Sequence, residues 1–229
     1  MTFNNSFKNF KKKHKLKKNQ IICKSVSCKN NKIIENLIDS YLNKKNSFIF
    51  ESVEKRRFRG RYTIIGADPD KIWEFNKQKV YLIEKNKKKI LKKSPYLFLK
   101  KLIENFNFPL PKNLPPLCSL LVGYFSYDII RYIEKVPNKC LDDLKIPDIR
   151  LMRPKTIIIH DNVFKKIHFI TNVFADEKIS NYSKYFLDTK QNINFLNNLA
   201  FNSWPKHPKK NNFNLKNYVK SNISKNTLK

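Results

Sequence analysis

Only three glycines occur in 229 residues. A residue this scarce is kept where the backbone needs positive φ or where another group must come close to it. Gly60, Gly66 and Gly123 therefore mark two stretches for attention, FIFESVEKRRFRGRYTIIGADPDKIWEF (48–75) and LVGYFSYDIIRYIEK (121–135). Cysteine is nearly as rare. The four residues Cys23, Cys28, Cys118 and Cys140 form no CxxC pair, which excludes a disulfide scaffold and points to a reducing, cytoplasmic compartment. No run of about 18 apolar residues is present, so no helix is expected to span a membrane. The basic N-terminus is followed by no apolar core of the signal type, which points away from export. The four histidines are scattered, with no HExxH and no partner cysteine at ligand spacing, and no metal is assigned. His160 and His168 lie in alternating β-like sequence and are expected to be ordinary packed or surface histidines.

Acidic residues are outnumbered 18 to 48 by basic ones, for a net charge of +30. Such an excess suggests nucleic acid or anionic lipid as a partner. Two shortages argue against it. Arginine, the residue suited to planar, bidentate recognition of phosphate and guanine, occurs only seven times. Much of the excess lies in residues 1–20 and 201–229, which hold seven lysines each and no acid. A solvated, Lys-rich surface is the simpler expectation. A basic accessory protein that binds nucleic acid through these tails is the alternative, with salt-dependent retention as its signature.

What is abundant is apolar: 41% of residues are hydrophobic, enough for a folded core. The expected organisation is a basic flexible arm (1–20), one domain (21–200) and a basic tail (201–229). Helical spacing of Ile33, Ile34, Leu37, Ile38 and Tyr41 predicts a helix over 32–42, capped by Asn30 or Asn31. Phe48–Val53 and 61–66 read as paired strands joined by a basic loop, Asp68-Pro69-Asp70 as a turn, and 72–75 and 80–83 as further strands. The lysines of 85–93 suit a solvated edge. Ser94-Pro95 marks a helix start, with Ser94 as the cap. Cys118–Tyr124 reads as a strand, Tyr127–Glu134 as a short helix, and 141–149 as a solvated loop despite its acids. Thr156–Asp161 and Lys166–Val173 read as a hairpin, with helical spacing beyond Tyr182. The class is α+β, a largely antiparallel sheet with flanking helices.

The hairpin of 48–66 can bring Arg61 near Ser52, giving a guanidinium and a hydroxyl able to hold a carboxylate. A plain surface hairpin with charged edge residues is the other reading of the same residues.

In order and spacing, FIFESVE, RGRYTIIGADP, LVGYFSYDIIRYIEKVPN and LDDLKIPDIRLMRPKTIIIHDN resemble the N-terminal part of anthranilate synthase component I over about residues 32–175. The GY-x-x-YD region is shared with paralogous chorismate-using enzymes, while ESVE to RGRY points to the tryptophan-pathway member. The resemblance implies an enzyme that turns chorismate and glutamine-derived ammonia into anthranilate and pyruvate, uses magnesium, and works with a glutamine amidotransferase subunit. It implies L-tryptophan as inhibitor, with Glu51 and Ser52 matching the family's inhibitor motif and Arg61 the basic residue downstream. The family's chorismate-binding half, which holds the catalytic and magnesium-binding residues, is expected to be missing here. The chain is accordingly expected to be a tryptophan-sensing segment with no cofactor of its own and no catalysis alone. An inactive fragment of a paralogous enzyme is a further alternative.

Overall fold

The computed structural model describes residues 3–30, 32–51, 60–137, 142 and 144–202. Among them the elements run α1 (Phe7–Lys15), β1 (Gln20–Ser27), α2 (Lys32–Leu42), β2 (Phe48–Glu51), β3 (Tyr62–Asn76), β4 (Lys79–Glu84), β5 (Lys87–Leu91), α3 (Pro95–Glu104), β6 (Val122–Phe125), a 3-10 turn (Tyr127–Tyr132), β7 (Ile149–Asp161), β8 (Lys166–Val173) and α4 (Tyr182–Phe201). The expected α+β class is what the chain adopts: a single sheet, β1-β8-β7-β3-β4-β5, with β2 added beside β3 and β6 beside β7. Every pairing is antiparallel.

Two long strands, β3 and β7, run through both halves of this sheet. Their first pairing, Tyr62–Ala67 against Asp161–Thr156, is flanked by β2 and β8; their second, Lys71–Phe75 against Arg153–Ile149, is flanked by β4 and β6. Between them the register shifts at Pro69 and Lys71, where Pro69 stands opposite Pro154. The Asp68-Pro69-Asp70 turn is therefore corrected to a bulge inside β3. Asp68 takes a left-handed φ of 52°, and the two prolines face each other where neither could have donated a ladder hydrogen bond.

One face of the first half is covered by α1, α2 and α4. Its core joins Ile22, Val26, Ile65, Ile158, Phe169 and Val173 of the sheet to Phe10, Leu37, Tyr41, Phe186, Ile193 and Leu196 of the helices. On the other face Cys23, Ile64, Ile157 and Ile170 lie under Phe108, Leu114 and Cys118, from the segment between α3 and β6. Under α3, Phe98, Leu99 and Leu102 pack on Trp73, Phe75, Val80 and Leu82.

The flexible arm is also corrected. Residues 7–15 form a helix whose Phe10 is 0% exposed, its ring 5.1 Å from Phe186 and 5.9 Å from Tyr185. Asn4 is pinned beside β1, donating to the Ile21 carbonyl at 3.0 Å and accepting from the Cys23 amide at 2.8 Å. Lysines on a helix keep their charges in water while a single apolar stripe is buried. Asn30 accepts from the Lys32 amide at 2.9 Å and starts α2. Ser94 stands at the N-cap of α3 with no side-chain hydrogen bond, leaving Pro95 in the first turn as the start signal. The tail 203–229 lies outside the described residues.

Candidate functional site

The first marked stretch folds into a corner where β2, β3 and β7 meet. Antiparallel register aligns Phe48, Ile49, Phe50 and Glu51 with Gly66, Ile65, Ile64 and Thr63. Aligned residues of such a pair share one face of the sheet, so Phe48 faces the space where Gly66 would carry a side chain. A Cβ there would overlap the Phe48 ring. Glycine is thus required at 66 for close approach, as its scarcity suggests.

Glu51 is the last described residue of β2 and is exposed. Ser52 lies outside the described residues. Continuing the row across the sheet, Glu51 aligns with Thr63 and Thr63 with His160. Thr63 and His160 are both buried, and neither ring nitrogen of His160 meets a hydrogen-bond partner. Burial first, and Lys165 second, push the His160 pKa below its ordinary value; the Cys28 backbone, short of bonding geometry, offsets this in part. The imidazole is therefore neutral at physiological pH. His168, by contrast, is a satisfied packed histidine, 2.8 Å from the Ser25 hydroxyl.

Arg61 reaches the corner, and the carboxylate it holds is that of Asp161. Its Nε lies 3.2 Å from both carboxylate oxygens and its Nη2 2.7 Å from one. The rings of Tyr62 and Phe164 lie over the guanidinium at 4.8 and 4.7 Å. Asp161 also accepts the Val163 and Phe164 amides at 3.0 and 3.1 Å. Burial raises its pKa, but the Arg61 fork and the two amides outweigh that and hold it below the ordinary value for an aspartate. Arg61 keeps a partly exposed side chain (32%). Asp161, Thr63 and His160 were not legible as members of this corner. The strand register sets Thr63 and His160 on the same face as Glu51, while Asp161, aligned with Tyr62, lies on the other face and meets Arg61 from 100 residues away.

The second marked stretch forms β6 and the 3-10 turn. A Cβ on Gly123 would overlap the Arg150 carbonyl of β7. Tyr132 donates to Asp148 at 2.7 Å, and Asp148 also receives the Lys77 amide at 3.2 Å. These groups border a cavity of ≈ 790 Å³ whose wall includes Tyr124, Asp128, Arg131 and Ile146. Tyr127, in the GY-x-x-YD motif, is 89% exposed.

Among the described residues no three His, Cys, Asp or Glu side chains converge in a way that could hold a metal ion. The three described cysteines are free and buried. Burial pushes Cys23 to about 11 and Cys118 to about 12, which keeps them as inert thiols.

No protein-family model matches the chain. It is similar to anthranilate synthase component 1 of Cereibacter sphaeroides, 28% identical over 185 residues that make up 79% of this chain and 37% of that protein. The component 1 of Acetivibrio thermocellus is 33% identical over 58% of this chain and 27% of its own length. For that of Saccharomyces cerevisiae the figures are 35%, 58% and 25%. Among solved structures, anthranilate synthase component I from Streptococcus pneumoniae TIGR4 superposes with a TM-score of 0.51 at 20% identity, over 74% of this chain and 35% of that one. This last likeness shows a shared fold. The chain spans between about a quarter and 37% of the length of these curated relatives.

Proposed function

We propose that these residues are the tryptophan-sensing part of an anthranilate synthase component I and carry out no catalysis by themselves. The observation that carries the reading is the β2–β3 register, which sets Glu51 opposite Thr63 at the end of β3 where Arg61 is held by Asp161. In this reading the Glu51 carboxylate faces the ligand's ammonium and the Ser52 hydroxyl hydrogen-bonds it. Arg61, fixed by Asp161, offers its outward edge to the ligand's carboxylate. The similarity to anthranilate synthase component I supports tryptophan as the ligand. Chorismate, magnesium and a glutamine amidotransferase subunit belong in this proposal to the other parts of the family enzyme. The setting is cytoplasmic; among the described residues no helix is long and apolar enough to cross a membrane.

Calorimetry with L-tryptophan, set beside an assay for anthranilate from chorismate and ammonia, tests both halves. Saturable binding that Ser52→Ala and Glu51→Gln each weaken about tenfold is expected, the scale of one charge-assisted hydrogen bond. Absence of binding, or unchanged affinity in both variants, overturns the sensing role. Anthranilate formed by this chain alone overturns the claim of no catalysis.

A further inference from the structure

A third place in the molecule, apart from the Glu51 corner and the cavity beside β6, has the form of a ligand site. Between α3 and the β3–β4 pair lies a cavity of ≈ 830 Å³, within the size range of small-molecule sites. It is far from the Glu51 corner: Trp73 in its wall is ten residues along β3 from Thr63, roughly 30 Å at the usual rise of a strand.

The floor is aromatic and apolar. Trp73 and Leu82 are buried there, and Phe98 of α3 and Phe174 beyond β8 close the sides. Charge within the wall is of two kinds. Arg153, stacked 3.8 Å above the Phe174 ring, is already matched by Asp70 and Asp176, and Lys71 by Asp176 and Glu84. Lys17, Lys93 and Lys101, by contrast, line the same cavity and form no ion pair with any described carboxylate. Three unmatched cations thus surround an aromatic floor. A concave site with low-dielectric walls focuses their field on whatever enters it.

We propose that this cavity binds an aromatic anion. The planar ring lies on the Trp73–Leu82 floor against Phe98, and its carboxylate, sulfonate or phosphate meets Lys17, Lys93 and Lys101. A neutral arene gains only the floor, and a small inorganic anion only the rim. The site therefore selects for the combination of ring and charge.

The floor supplies its own reporter, because the sequence has only two tryptophans, Trp73 and Trp204. In the Trp204→Phe protein, anilinonaphthalene sulfonate is titrated while Trp73 emission is followed. A saturable loss of that emission is expected. Lys93→Glu/Lys101→Glu, both exposed positions, should weaken binding by about tenfold or more, and rising salt should weaken it as well. Lys11→Glu/Lys12→Glu on α1 makes the same change in total charge away from the cavity and should leave affinity unchanged. Competition by benzoate and by phenyl phosphate then distinguishes a carboxylate from a phosphate ligand, and displacement by either supports the proposal. Three results overturn it: equal affinity in the cavity and α1 variants, probe fluorescence that rises while Trp73 emission stays constant, or neutral phenylnaphthylamine binding as tightly as the sulfonate.

Discussion

Arg61 and Asp161 are 100 residues apart in sequence and share a two-pronged ion pair whose acidic member is almost wholly buried. Removing the cation leaves the anion enclosed, so Arg61→Ala should cost about 2 kcal/mol at pH 7, between the values for exposed and buried pairs. The pair also sets an acid limb to stability. Because the folded pKa of Asp161 lies below its unfolded value near 3.8, the contribution is complete above that unfolded value and is lost as pH falls through the folded one. Chemical denaturation from pH 7 to pH 2 should show this loss in the native protein, and Asp161→Asn should flatten it. A second residue-scale test concerns Gly66. Gly66→Ala should destabilise by roughly 2 kcal/mol through overlap with the Phe48 ring, and most of that cost should vanish in a Phe48→Ala background. At the candidate site, Glu51 and Arg61 were legible through the motif they belong to. Asp161 and His160 were not, because nothing local in sequence ties the end of β7 to the start of β3.

At the scale of elements, legibility followed local periodicity. The helical spacing of 32–42 matches α2 to the residue, and the alternating segments 156–161 and 166–173 match the β7–β8 hairpin. The first half of β7, Ile149–Lys155, carries Arg150, Arg153 and Pro154, whose charges and missing donor hide a strand. It is held instead by pairings with β3 and β6. Scarce glycine shows in the turns. The β3–β4 hairpin turns on Lys77 and Gln78 (φ 47° and 63°) and the β4–β5 hairpin on Lys85 and Asn86 (φ 49° and 60°). Such positions ordinarily select Asn-Gly. Lys77→Asn/Gln78→Gly should therefore stabilise the protein by about 1 kcal/mol, a rise in Tm of roughly 2–4 °C by calorimetry. The same pair of changes at Lys87 and Lys88, inside β5, should destabilise it.

For the molecule as a whole, the boundary of the domain lies further toward the N-terminus than composition suggests. Seven lysines in twenty residues conceal one apolar stripe, and the surface it fits belongs to α4, with Phe10 against Phe186 and His14 3.1 Å from the Tyr182 hydroxyl. Phe10→Ala should cost 3–5 kcal/mol in equilibrium denaturation, the usual range for a large aromatic lost from a core. Deleting residues 1–18 should lower Tm rather than leave it unchanged, as loss of a solvated arm would.

The opposed prolines of β3 and β7 have a mechanical consequence. Where Pro69 faces Pro154 the sheet is stitched less densely than on either side, so it is most easily creased along that line. The Glu51 corner and the aromatic cavity sit on opposite flaps of the crease.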